Sequence, residues 1–168
     1  MRVGSVLFAM LVVAAVAAAQ APPFKREPVG TLAQVMRGIN FHSSNLLFDS
    51  QSKEIEKIDA SPGSTYSGIY FGWPAVENAA VALAEAADLV MMPGRLCQNG
   101  KPVPVQRADW VKYAEGLRQA GKAALKVAQS KNRDAMIEIT NEIAGACENC
   151  HAVYRDVPGG MAGRCVVN

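Results

Sequence analysis

Between Thr31 and Cys150, apolar residues recur at three- and four-residue intervals in four separate stretches, and nowhere do they alternate as a half-buried strand requires. The first stretch carries Leu32, Val35, Met36, Ile39, Leu46 and Leu47. Thr31 is placed to cap it, and it is expected to run to about Ile58, before Ser61-Pro62-Gly63. The second opens at Trp73-Pro74, since proline is tolerated in a first helical turn. It continues through Val76, Ala79, Leu83, Ala87 and Val90 and stops at Met92-Pro93-Gly94. The third begins near Ala108-Asp109 and carries Trp110, Tyr113, Leu117, Ala120, Ala124 and Ala128. The fourth is expected to start at about Asp134, a residue able to cap it. It carries Met136, Ile139, Ile143, Ala146, Cys147 and Cys150, and fades near Pro158-Gly159-Gly160. Four amphipathic helices with modest connections predict an all-α chain, an antiparallel up-down-up-down four-helix bundle. Alanines along the stripes let helices approach closely and leave room for a bulky group.

The last helix carries Cys147-Glu148-Asn149-Cys150-His151 toward its end. Cys-x-x-Cys-His is the attachment pattern of c-type haem. Each thiol adds to a haem vinyl group, the two-residue spacer puts both sulfurs on one side of a helical turn, and the adjacent histidine reaches the iron as an axial ligand. Three other readings compete. A thioredoxin-like redox pair needs a βαβ setting, which the pattern lacks. A zinc site needs further ligands at matching spacing, and His42, Cys97 and Cys165 assemble into one only with effort. A structural disulfide between residues three apart would constrain little.

The N-terminus agrees with haem attachment, which normally takes place outside the cytoplasm. Met1-Arg2 precedes an apolar, alanine-rich run from Val6 to Ala19, and small residues follow at Ala17-Ala18-Ala19 and Ala19-Gln20-Ala21. This predicts a signal peptide over 1–19, or cut after Ala21, and a periplasmic protein. As a membrane anchor the run is at the short end of the roughly 17–25 residues that span a bilayer. A Pro-rich lead-in over 20–28 is expected next, then the bundle over 29–158 and a tail over 159–168. The processed chain of about 150 residues is large enough to bury roughly 68–70% of its unfolded surface in one core. The formal charge of +2 falls by one with Arg2, and Lys and Arg are spread along the helices, so nothing points to a nucleic-acid partner.

These residues resemble the cytochrome c′ family, the class II c-type cytochromes, over about Gly30 to Val157. The resemblance is strongest at Cys147-Glu-Asn-Cys-His151-Ala-Val-Tyr154-Arg155, at the end of the last helix; ordinary small cytochromes c carry the motif near the N-terminus instead. It implies one covalently attached haem c on Cys147 and Cys150, with His151 as proximal iron ligand. That family places its distal haem-face residue early in helix one, where Leu32-Ala-Gln-Val-Met36-Arg-Gly-Ile39 aligns, so Met36 is the expected distal ligand of a low-spin member. Bundle topology agrees, because the start of the first helix and the end of the fourth share one end. His42 is the rival ligand, but it lies six residues from Met36, about 240° around a helix, so only one of them can face the haem. Arg155, four residues beyond His151, is a candidate for a haem propionate or, equally, a solvated arginine at a helix C-terminus. Cys97 and Cys165 depart from the family pattern. In an exported chain, with both segments at the haem end, a Cys97–Cys165 disulfide is expected.

The function expected is electron transfer to and from periplasmic redox proteins, by a monomer or homodimer, without enzymatic chemistry and without stable membrane insertion. A five-coordinate haem protein binding NO or CO is the alternative. A haem-free helical or zinc-binding interaction protein is a second.

Overall fold

The computed structural model describes residues 26–166; the expected signal segment and residues 20–25 of the lead-in lie outside the described residues. The chain is all-helical, with four helices and no β-strand among the described residues. Two isolated bridges, Asp59 with Phe71 and Leu96 with Pro102, pin loops.

The first helix opens at Leu32–Val35 behind a full capping box. The Thr31 hydroxyl accepts from the Gln34 amide, and the Gln34 side chain accepts from the Thr31 N–H. It passes through a π turn, Met36–Asn40, and resumes as Phe41–Phe48. It therefore ends ten residues before the expected Ile58. Asp49–Gln51 and Ile55–Lys57 are short 3₁₀ turns, and Ile55 and Ile58 are buried from them. Apolar residues three apart fit a 3₁₀ turn as well as an α-helix, which is why the helical pattern ran on.

The second helix, Trp73–Val90, starts at Trp73-Pro74 as expected, and the third, Ala108–Ser130, starts at Ala108. The fourth, Arg133–Tyr154, is capped by Asn132, whose side chain accepts from the Ala135 N–H 3.0 Å away; Asp134 sits in the first turn rather than at the cap. Both residue types cap well, so spacing alone could not separate them. The helix ends at Tyr154, four residues before Pro158, and a 3₁₀ turn, Gly160–Gly163, follows.

Neighbouring helices in sequence pack on one another, and the fourth closes on the first. The second and third are in close contact at Gly121, where a Cβ would lie 2.6 Å from the Ala84 nitrogen; only glycine fits there. Buried side chains form two cores. One holds Leu46 and Leu47 from the end of the first helix, Val76 and Ala79 from the start of the second, Ala124 and Ala128 from the end of the third, and Met136 and Ile143 from the first half of the fourth. The other holds Leu32 and Val35, Val90, Trp110 and Ala114, and Tyr154 from the opposite ends of the same helices, together with Cys97 and Cys165.

Cys97 and Cys165 form the expected disulfide, with 68 residues of separation. Closing a loop of that length stabilises by about 4 kcal/mol in the chain-entropy account. The loop that presents Cys97 is a tight hairpin. The Gly100 N–H donates to the Cys97 carbonyl at 3.0 Å, with Gly100 at φ 81°, where a side chain would be strained.

Candidate cofactor site

The second core surrounds a cavity of about 560 Å³, within the roughly 300–1,000 Å³ of small-molecule and cofactor sites. All five residues singled out from the sequence line it: Met36 from the first helix, Cys147, Cys150 and His151 from the fourth, and Arg155 just past its end. His42 is exposed and does not line it.

The fourth helix presents its three motif residues for a simple reason. Positions three and four apart share a helical face, so Cys147, Cys150 and His151 form one half-buried strip along the cavity. The first helix is less ordinary. Leu32, Met36, Asn40, Ser44 and Phe48, every fourth residue, all line the cavity. At about 100° per residue, a four-residue step drifts about 40° each turn, so a regular α-helix would rotate this row away. The π turn begins at Met36, whose carbonyl accepts the N–H of Phe41, five residues on. The wider turn takes up part of the drift and keeps one face on the cavity.

Burial dominates the electrostatics of the fourth-helix strip. It pushes the Cys147 thiol up, against the charge of Arg155. It pushes the Cys150 thiol up to about 11, and the negative ends of Cys147 and Asp109 add to this. Burial also holds the His151 imidazole below its ordinary value, helped by the positive charges of Arg155 and Arg164 and opposed by Asp156. At neutral pH both thiols are therefore protonated and His151 is neutral. Neutral imidazole is the metal-ligating form, whereas a redox or nucleophilic cysteine needs thiolate.

Arg155 already has a partner. Its Nε and Nη2 donate to the two carboxylate oxygens of Asp156, at 2.8 and 2.7 Å, on the protein surface.

In the aromatic wall of the cavity, Trp110 and Tyr113 stood in the sequence only as helix stripe, and Tyr154 only as part of the motif's surroundings. Trp110 meets Tyr154 edge-on, with centroids 4.8 Å apart, and Tyr113 meets Tyr154 at 6.3 Å. The Tyr154 hydroxyl accepts from Arg107 Nε at 3.2 Å, and Arg107 also pairs with Asp109. Among the described residues, three buried side-chain polar atoms find no hydrogen-bond partner: Asn40 Oδ1, Trp110 Nε1 and Arg164 Nε. All three residues line this cavity. No three His, Cys, Asp or Glu side chains among the described residues come together as a metal cluster. Cys97 and Cys165 are spent in their disulfide, so the zinc set considered from the sequence does not assemble.

Comparison of the chain with protein-family models, with curated proteins and with solved structures returns no match.

Proposed function

We propose that the chain is an exported monohaem electron carrier of the class II c-type cytochrome kind. One haem c would be held covalently by Cys147 and Cys150, with His151 and Met36 as the side chains that would ligate its iron. The observation that carries this reading is that Met36, Cys147, Cys150 and His151, from the two ends of the bundled chain, line one mostly apolar cavity. The residues fit the group. The thiols are in the protonated form that adds to a vinyl group, and the imidazole is in the form that ligates. The unpartnered Trp110 Nε1 and Arg164 Nε are donors in a cavity where the cofactor would bring carboxylates. Bound haem supplies a one-electron couple, whose potential a thioether ligand raises.

The chain's own residues then have four tasks. Cys147 and Cys150 would tether the group, His151 and Met36 would ligate its iron, Trp110 and Tyr154 would keep water from one side, and the π turn holds Met36 toward the cavity. Up-down-up-down topology is supported by the two cores, because each core takes alternate ends of successive helices. The Lys131-Asn132 connection also leaves room only for a reversal. A periplasmic location and redox-protein partners follow from the signal-like N-terminus and the haem reading. Among the described residues no helix is long and apolar enough to cross a membrane.

The test is the visible spectrum of the holoprotein, ferric and ferrous, with and without CO, for the wild type and Met36→Ala. The expected result is a low-spin wild type indifferent to CO, with the far-red sulfur-to-iron band, and a high-spin variant that binds CO. A high-spin wild type that shifts with CO would replace the carrier with a gas-binding protein.

A further inference from the structure

After the fourth helix the chain doubles back over the cavity, and it is tied down more heavily than a surface tail requires. The Asn99 side-chain amide, on the hairpin, reaches the carbonyls of Met161, Ala162 and Arg164 at 3.2, 3.1 and 2.7 Å. The Cys165 N–H donates to the Tyr154 carbonyl at 3.1 Å. The disulfide then joins Cys165 to Cys97, both of them buried. Cys165 itself sits at φ 59°. A non-glycine residue persists in that left-handed region only where its surroundings over-determine it, and such positions gather at functional sites.

What the tether delivers is Arg164. It lines the cavity, it is half-buried, and no ion pair among the described residues includes it. Its Nη1 donates to the Met161 sulfur at 3.7 Å, and its Nε is buried with no acceptor. A buried, unpaired guanidinium edge is costly unless an anion completes it. Arg155, the nearer candidate in sequence, already has its carboxylate in Asp156. Asp156 feels the charge of both arginines, but only Arg155 pairs with it directly, and the buried Nε of Arg164 keeps no acceptor.

We propose that Arg164 is the anion-holding residue of the cavity, pairing with a propionate carboxylate of the bound haem, and that the Cys97–Cys165 disulfide is the positioning device that brings it there. The inference rests on the haem reading and names a contact within it. A guanidinium matches a carboxylate in a two-point fork, which lysine cannot reproduce. A fixed positive charge beside the ring also favours the less positive, ferrous state.

The test is spectroelectrochemical titration of the holoprotein and of Arg164→Gln, Arg164→Lys, Cys97→Ser/Cys165→Ser, and the triple variant. Covalent haem is first checked on each after denaturation. Arg164→Gln should keep its spectrum and lower the potential by about tenfold in the ferric-to-ferrous ratio, roughly 59 mV for a one-electron couple. Arg164→Lys should recover part of the shift. Loss of the disulfide should lower the potential in the same direction, and adding Arg164→Gln to it should change little further, as expected for two residues acting through one contact. An unchanged potential in Arg164→Gln overturns the proposal and leaves the haem reading intact. A shift just as large without the disulfide overturns the positioning role. Absence of covalent haem removes both readings together.

Discussion

The two cores of this all-helical chain are built from the same four helices yet by different rules. At one pole Leu47, Leu83, Met136 and Ile143 are fully buried, and Gly121 lets the second and third helices touch. The buried polar groups there are satisfied: Ser50 donates to the Leu47 carbonyl, and Thr140 serves both Ile137 and Gln51. At the other pole a cavity of about 560 Å³ separates the helices, and the three unpartnered buried polar atoms all belong to its walls. Each such atom costs about 1–3 kcal/mol while it stays unpaired. The closed pole is complete as protein. The open pole has the shape and the unmet hydrogen bonds of a site that expects an occupant.

Three experiments break or sharpen that contrast. The largest effect belongs to Cys147→Ser/Cys150→Ser. Covalent haem should vanish from denaturing gels, and amide exchange should accelerate at Trp110, Ala114 and Tyr154 while Leu83 and Ile143 stay protected. Uniform loosening of both cores would erase the distinction between the poles. Next is Ile143→Ala, which empties space in the closed pole. It should lower unfolding free energy by about 2–5 kcal/mol, read from the urea midpoint, without moving the visible spectrum. The smallest effect is in acid. Asp109, at the open pole, is held down to about 2, first by the Arg107 hydrogen bond. Asp59, in the first connector, is held low by the Ser67 hydroxyl and the Ser61 and Gly68 amides. A carboxylate with a depressed folded pKa adds stability that is complete above its unfolded value near 3.8 and is lost as pH falls through the folded one. Urea midpoints should therefore decline from about pH 4 toward pH 2, and less steeply in Asp109→Asn; equal slopes would mean that the Arg107 pair adds nothing.

Much of this was legible in the chain because it is written locally. Thr31 with Gln34, Trp73-Pro74 and Ala108 mark helix starts by residue type, and the fourth-helix motif carries its spacing on its face. That Met36 shares a cavity with His151 followed from helix order alone. Other features are not local. Ile55 and Ile58 keep helical spacing while lying in a 3₁₀ segment, so periodicity overran the true end at Phe48. The π turn leaves only a faint mark, a row of cavity residues four apart and a helix-weakening Gly38. Trp110 looks like any core aromatic until the space beside it is seen. Arg164 has no signal of its own, because its place at the cavity depends on a cross-link between segments distant in the chain.

That cross-link has a topological consequence. Joining Cys97 to Cys165 closes a covalent ring through which the third and fourth helices both run, with the Cys147–His151 motif inside its circumference. The Lys131-Asn132 turn between the two helices is exposed, which makes it a point where a protease could cut this ring. A single cut there opens the ring without dividing it, so a nicked molecule still keeps the fourth helix and the tryptophan wall in one piece.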